Sequence, residues 1–138
     1  MDDNSMKCLS LRQPYAELLV SGKKTIELRK WNTNFRGEFL VHASKNVNKE
    51  KCKSLDIEHP KLTVGAITGR AILDDVRRYD IKAQFMKDKS RHYADANIFN
   101  SYMYGFMISN AHRFKYPVPY SGRLGFFEVD QSIIKTYK

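Results

Sequence analysis

The sequence has few cysteines, and none of its metal-ligating residues are suitably spaced. Its two cysteines, Cys8 and Cys52, form no CxxC pair, and its four histidines are scattered along the chain. Because zinc ribbons and thioredoxin-like sites need such spacings, we predict no metal site and no cofactor. Cys8 lies in an apolar stretch and is expected to be a buried small hydrophobe, with both thiols reduced.

The sequence also lacks a long apolar run. No segment approaches the roughly 18 residues of a membrane span, and residues 1–5 lack the basic and apolar regions of a signal peptide. We therefore predict a soluble, cytoplasmic protein with no membrane partner. A chain of 138 residues suits a single domain, residues 1–138, whose core needs neither disulfides nor metal.

Acidic residues are scarce relative to basic ones. The 24 lysines and arginines outnumber the 15 aspartates and glutamates, which gives a formal net charge of +9 and a pI of about 9.6. This excess favours polyanionic partners, with nucleic acid ahead of an anionic membrane. The alternative is that the charge serves solubility alone.

One short segment combines a helix end with a polar strand. Gly22 stands where a left-handed residue would end the preceding apolar helix. Residues 25–31 then follow a period of two, so alternate side chains share one face. That face would carry Thr25, Glu27, Arg29 and Trp31, with Lys24 at its entrance. The alternatives are a surface Glu27–Arg29 pair with a solvated Lys24, or a buried Lys24–Glu27 pair that shapes a cleft.

The remaining pattern predicts short strands and short helices. Strands are predicted over residues 6–11, 25–31, 38–42, 64–74, 102–109, 112–116 and 124–129. Helices are predicted over residues 14–22, from Asn46 or Asn48 to Leu55, over residues 81–86, and at the C-terminus around Ile133 and Ile134 after a cap at Asp130 or Ser132. Residues 87–97 are polar and are predicted to form a mobile loop. Gly65 and Gly69 indicate bulges or a close approach by another backbone.

These strands and helices do not alternate regularly, which argues against a doubly wound parallel sheet. We predict an α+β, mostly β fold: a small, mainly antiparallel β-barrel with short flanking helices. The lysines at positions 49, 51 and 53 are expected to form a solvated helix face.

The segment from Gly22 to Arg29 also carries a family motif. Its glycine, lysine, glutamate and arginine fit the GxKxxExR signature of the ASCH superfamily, whose members are relatives of the PUA fold. Residues 8–16, CLSLRQPYA, resemble the opening of ASCH domains of the signal-cointegrator type. Later blocks are similar as well: Trp31, residues 35–37 and 40–44, Gly105 to Asn110, Pro117 and Gly122. The chain is identified as a member of this superfamily.

The resemblance implies a PUA-like β-barrel with a cleft beside the first helix, and RNA or another nucleic acid as partner. One branch of the family removes the acetyl group of N4-acetylcytidine, and another is described as a ribonuclease. In the deacetylating branch the lysine at the position of Lys24 assists a threonine that falls at Glu27 here. This sequence lacks that hydroxyl, and Thr25 lies one strand step, about 6.5 Å, away. The set of residues that carries out deacetylation in that branch is therefore incomplete here.

We predict that the protein binds single-stranded RNA or a modified nucleotide in a basic cleft. Cations would contact phosphates, and aromatic rings would stack on an unpaired base. The candidate ligand-binding residues are Lys24, Glu27, Arg29, Trp31, Arg36, Lys45 and Tyr15, and a second basic patch comprises Arg113, Lys115 and Arg123. Trp31 and Tyr15 have a plain core role as their alternative.

The alternative function is a hydrolase that acts on RNA, as a ribonuclease, or on a modified nucleoside. Lys24 and Glu27 are its candidate catalytic residues. Lys24 would stabilise developing negative charge or act as a base if desolvation lowered its pKa, and Glu27 would activate water. No Ser-His-Asp set is identifiable, and no metal is required. A protein-interaction module is a third alternative, with no partner specified.

Overall fold

A single six-stranded sheet organises residues 4–134, the part of the chain that the computed structural model describes. The strands are β1 (Ser5–Gln13), β2 (Ile26–Arg29), β3 (Gly37–Val47), β4 (Ala66–Tyr79), β5 (Met103–Pro119) and β6 (Phe126–Asp130). The α-helices are α1 (Tyr15–Val20), α2 (Lys49–Ser54), α3 (Lys82–Lys87) and α4 (Lys89–His92), and single 3-10 turns lie at His59–Lys61, Ala96–Ile98 and Gln131–Ile133. The mixed, mostly β class is therefore confirmed.

The strands are ordered β2-β5-β4-β3-β1-β6 across the sheet. β1 and β3 are parallel, and the other four pairings are antiparallel, as predicted. No pairing joins the edge strands β2 and β6 within residues 4–134, so the sheet is open and the predicted closed barrel is not confirmed. Both edge strands are short, with four and five residues, which limits the unpaired backbone that they expose.

Three strands are longer than the sequence pattern predicted. β3 continues to Val47, and β4 continues to Tyr79. β5 is one strand where a turn at Asn110-Ala111 was predicted. Those two residues form a bulge instead, since they lie opposite Ala71 alone between the pairs Arg70–His112 and Ile72–Ser109. Asn110 adopts the left-handed conformation, with a φ of 50°, which asparagine tolerates better than most residues.

The largest core cluster lies between α1 and the sheet. Leu19 and Val20 of α1 pack with buried residues of four strands: Leu9, Leu11, Phe39, Val41, Ala43, Ala71, Leu73, Phe106 and Ile108. The helix ends as predicted, because Gly22 adopts a φ of 84°. The Asn48 side chain caps α2 by accepting a hydrogen bond from the Lys51 N–H at 3.0 Å. Cys8 and Cys52 are both free and buried.

Two predictions about polar segments are wrong. Residues 87–97 contain α4, whose His92 is 1% exposed and stacks on Phe85 with ring centroids 4.3 Å apart. Lys51 does not belong to a solvated face, because it is buried and its Nζ lies 3.2 Å from Asp95 Oδ1. In both cases a specific partner satisfies a polar group that the sequence pattern assigns to solvent. None of the helices within residues 4–134 has the length and apolar character needed to cross a membrane.

Candidate functional site

Three charged side chains, those of Lys24, Glu27 and Arg29, form a largely buried triad between α1 and β2. The Lys24 Nζ is 3.3 Å from Glu27 Oε1, and the Arg29 Nε donates to Glu27 Oε2 at 2.7 Å. The side chains of Lys24 and Glu27 are only 2% and 9% exposed. This burial excludes the alternative of a surface ion pair beside a solvated lysine.

Local chain geometry explains how three charges converge. Gly22 ends α1 and turns the chain, after which the N–H groups of Lys23 and Lys24 both donate to the Leu18 carbonyl. β2 then alternates its side chains, so Glu27 and Arg29 point to the same side of the strand. The GxKxxExR spacing is therefore a helix end followed by one strand face.

The Lys24 ammonium lies beside three acceptors. They are the Ile26 carbonyl at 2.6 Å, the His92 carbonyl at 3.0 Å and the Glu27 carboxylate. Arg29 extends the network, because its Nη2 donates to the Ser10 carbonyl at 2.9 Å. The triad thus links β2 to β1 and to the end of α4.

Burial and charge shift the titration of the triad. Burial lowers the pKa of Lys24 below its ordinary value, although the adjacent Glu27 carboxylate opposes that change. Burial by itself raises the pKa of Glu27, but Arg29 and Lys24 outweigh it and hold that pKa below its ordinary value. Glu27 is consequently an ionised hydrogen-bond acceptor at neutral pH.

A cavity of about 380 Å³, the triad cavity, opens above the triad. This volume falls in the range of about 300–1,000 Å³ typical of small-molecule sites. Its polar lining includes Lys24, Glu27, Arg29, Arg12 and Lys30, and its less polar walls are Leu11, Tyr15, Leu28, Ala94, Ile98 and Met103. The arrangement suits a ligand with flat apolar faces and a polar edge. Within residues 4–134 there is no cluster of three or more His, Cys, Asp or Glu side chains that could hold a metal ion.

The two aromatic candidates occupy different environments. Tyr15 lines the cavity, with its ring centroid 5.6 Å from the Lys24 Nζ, and burial raises the pKa of its hydroxyl. Trp31 is absent from the lining and packs edge-on against Phe106 and Phe126, with centroids 5.3 and 5.9 Å apart. β2 ends at Arg29, so the alternation that would direct Trp31 toward the cavity does not extend to it.

The other predicted cations lie away from the triad. Arg36 is exposed, and its Nη2 lies 3.5 Å from Asp75 Oδ1. Arg113 pairs with Glu17 at the surface. Lys115 lies over the Tyr116 ring, 5.5 Å from its centroid. None of the three lines the triad cavity.

Lys45 and Arg123 line a different cavity, of about 450 Å³. The sequence prediction assigned Lys45 to the triad cleft and Arg123 to a separate patch, whereas the structure brings these two side chains to one place. The residues that were predicted to ring a single cleft are therefore distributed over several surfaces.

Sequence reasoning missed Arg12 and the end of α4 as parts of the triad cavity. The Arg12 side chain is exposed, lines the cavity and makes no hydrogen bond or ion pair with any residue between 4 and 134. Its position two residues after Ser10 in β1 was an available signal, because residues i and i+2 share a strand face. His92 and Ala94 gave no such signal, because they reach the cavity only through tertiary packing.

Two buried histidines, His42 and His92, are hydrogen-bonded through both ring nitrogens. The Nε2–H of His42 donates to the Tyr120 carbonyl at 2.6 Å, and that of His92 donates to the Phe85 carbonyl at 2.7 Å. Each Nδ1 is then an acceptor, from the Ser10 hydroxyl and the Ala94 N–H respectively. Burial lowers the pKa of both histidines below 6.5.

We therefore expect the free energy of unfolding to fall as the pH drops below about 6.5, because the unfolded chain then binds protons that the folded chain resists. Stability should be constant just above that pH, and the loss should level off below the folded-state pKa values. Urea denaturation between about pH 7.5 and pH 5 measures the change, and NMR titration of the imidazole protons assigns it. A urea midpoint that stays constant down to about pH 5 would contradict the expectation.

The chain is an α+β domain that consists mostly of β-sheet, and its charged triad lies beneath a cavity large enough for a small ligand. The family model for the ASCH domain matches residues 9–118. The chain therefore belongs to the ASCH domain family, as its GxKxxExR motif indicated.

Solved structures show the same fold. The chain is similar to an ASCH protein from Zymomonas mobilis, with 13% identity and a TM-score of 0.69 over 94% of this chain and 90% of that one. A serine-to-alanine variant of the Zymomonas mobilis protein has 13% identity and a TM-score of 0.73 over 100% of both chains. A tyrosine-to-phenylalanine variant has 13% identity and a TM-score of 0.69 over 94% of both chains. At this identity the likeness concerns the fold alone. Among curated protein sequences, none matches the chain.

Proposed function

We propose that this ASCH domain binds single-stranded RNA or a modified nucleotide, and that the triad cavity receives one unpaired base. The observation that carries the proposal is the ionised Glu27 carboxylate at the floor of a cavity with largely apolar walls. The excess of positive charge, +9 overall, supports a polyanionic ligand. Membership in the ASCH family supports nucleic acid as the class of partner.

Glu27 has acceptor capacity to spare. A carboxylate offers about four lone-pair positions, and Glu27 uses one oxygen for Lys24 and the other for Arg29. The remaining lone pairs would accept from an amino or imino N–H on the edge of a base, while Tyr15 and Leu28 contact its faces. RNA-binding proteins commonly read splayed-out bases through such edge contacts combined with stacking.

Lys24 has a different role in this proposal. Its ammonium is already engaged by two backbone carbonyls and the Glu27 carboxylate, so it does not donate to a ligand without disturbing the network. Instead it fixes the position and ionisation of Glu27. The hydrolase alternative stays a prediction, and no observation favours it, because Lys24 and Glu27 are already committed to each other and to their neighbours.

Arg12 is the cation best placed to contact phosphate. Its side chain is exposed at the cavity and makes no hydrogen bond or ion pair within residues 4–134. The neighbouring Lys30 is already engaged, since its Nζ donates to the carbonyls of Asn100 and Tyr102 at 2.7 Å each. A base in the cavity would place its sugar-phosphate at the opening, where Arg12 lies.

Salt dependence of RNA binding tests this arrangement. We expect the affinity of the protein for a labelled single-stranded RNA to fall with salt, and Arg12→Ala to reduce the slope of log K against log salt by about 0.7. Fluorescence anisotropy at several salt concentrations provides the slope. Lys53→Ala is the matched control, because Lys53 is exposed on α2, outside the cavity. A flat salt response, or equal slopes for Arg12→Ala and the unmodified protein, would contradict the proposal.

A further inference from the structure

The second cavity, of about 450 Å³, meets the triad cavity at Ser10, which lines both. Its walls come from the end of β3 and from residues 120–125, the loop between β5 and β6. No aspartate or glutamate lines it. Its polar side chains are those of three serines, one histidine and two cations.

The loop over residues 120–125 is held firmly against this cavity. His42 Nε2–H donates to the Tyr120 carbonyl at 2.6 Å, and the Tyr120 N–H donates to the Gly65 carbonyl at 3.1 Å. Gly122 lies so close to the floor that an added Cβ would be 2.7 Å from His42 Cε1 and 2.9 Å from Ser10 Oγ. Only glycine permits this approach, so the position of the loop is built into the sequence.

Two cations without partners line the cavity. The side chains of Lys45 and Arg123 are both exposed, and neither makes a hydrogen bond or ion pair with another residue in the range 4–134. The stem of Lys45 lies along Gly65, where an added Cβ would be 3.3 Å from Lys45 Cε. Ser44 and Ser121 add hydroxyl groups to the same lining. Two positive charges and two hydroxyls without a carboxylate form a set of donors suited to a tetrahedral oxyanion.

We propose that this second cavity binds a phosphate group, with Lys45 and Arg123 as its charged contacts and the hydroxyls of Ser44 and Ser121 as further donors. This phosphate site is separate from the triad cavity, because Ser10 is the one lining residue that the two cavities share. Its phosphate belongs either to an RNA backbone or to a small phosphorylated molecule.

An NMR titration at constant ionic strength tests the site, with inorganic phosphate, a nucleoside monophosphate and a short single-stranded RNA as separate probes. We expect saturable shifts of the backbone amides of Gly65, Ser121 and Gly122. The double variant Lys45→Ala/Arg123→Ala should weaken the affinity at least about tenfold, because it removes both charge-assisted contacts. Lys53→Ala/Lys87→Ala removes the same charge from exposed positions elsewhere and should leave the affinity unchanged.

A charge-neutral variant separates a built site from general attraction. Gly122→Ala should displace the loop and weaken phosphate binding without changing the net charge, and one-dimensional spectra will report whether the fold persists. The absence of saturable shifts with every probe would overturn the proposal, as would equal losses in the two double variants.

The probes also distinguish the source of the phosphate and separate this site from the proposed function. Tighter binding of RNA than of the monophosphate would assign the site to an RNA backbone, whereas the reverse would assign it to a small molecule. Saturable phosphate shifts in an unmodified protein that shows no affinity for single-stranded RNA would support this site while contradicting the function proposed for the triad cavity.

Discussion

Replacing Glu27 with glutamine should lower the free energy of unfolding by about 3–5 kcal/mol, the usual cost of removing one partner of a buried ion pair. Glutamine keeps the shape of the side chain, so the loss would come from the charge. Lys24 and Arg29 would then face each other in a site where the Glu27 side chain is only 9% exposed. The Lys24 ammonium would retain its two carbonyl acceptors but no counter-charge.

Urea denaturation of Glu27→Gln and of the unmodified protein measures this loss. Glu17→Gln is the control, because the Glu17–Arg113 pair lies at the surface and should contribute less than about 1 kcal/mol. Adding Lys24→Met to Glu27→Gln should recover part of the stability, because it removes the uncompensated ammonium. Equal losses for Glu17→Gln and Glu27→Gln would show that the triad is no more than a surface network.

Replacing Gly69 with alanine should cost about 3 kcal/mol, at the upper end of the range for overpacking. An added Cβ would lie 2.3 Å from the His112 carbonyl oxygen and 2.7 Å from Val20 Cγ1. Gly69 is in a central strand, paired with Val41 on one side and Arg113 on the other. Relief therefore requires movement of β-sheet backbone, not of a flexible side chain.

Gly22→Ala provides a matched comparison for Gly69→Ala. An added Cβ at Gly22 meets nothing within 4 Å, but its φ of 84° is unfavourable for alanine. We expect that substitution to cost about 1–2 kcal/mol, from conformation alone. Thermal or urea denaturation of both variants gives the two values. A loss at Gly69 no greater than that at Gly22 would contradict the steric argument.

These two glycines also illustrate what the sequence makes predictable. Gly22 was predicted to end a helix and Gly69 to mark a bulge or a close backbone approach, and both follow from local rules that depend on few neighbouring residues. The shared face of Glu27 and Arg29 was predictable for the same reason, since strand alternation is local. The family motif covers this same local segment.

Other parts of the fold and the site depend on contacts between distant segments. The His92 carbonyl that receives a hydrogen bond from Lys24 lies 68 residues further along the chain. No local pattern brings α4 to that position, and a polar segment was therefore assigned to a mobile loop. The position of Trp31 could not be predicted for a related reason. Trp31 would share a face with Glu27 and Arg29 only if β2 extended to it, and the end of a strand is set by its pairing partners. Whether the sheet closes into a barrel likewise depends on a pairing between distant segments, β2 and β6, which no local pattern specifies.

The parallel pairing of β1 with β3 has a consequence for the whole topology. For two neighbouring strands to be parallel, the chain must cross over from the end of the first strand to the level where that strand began. Residues 14–36 make this crossover. Lys24, Glu27 and Arg29 all lie within it, and Arg29 ties the returning chain to the backbone of Ser10. A ligand that binds the triad and stabilises it would therefore also stabilise the crossover between the parallel strands β1 and β3, so ligand affinity and the free energy of unfolding are thermodynamically linked.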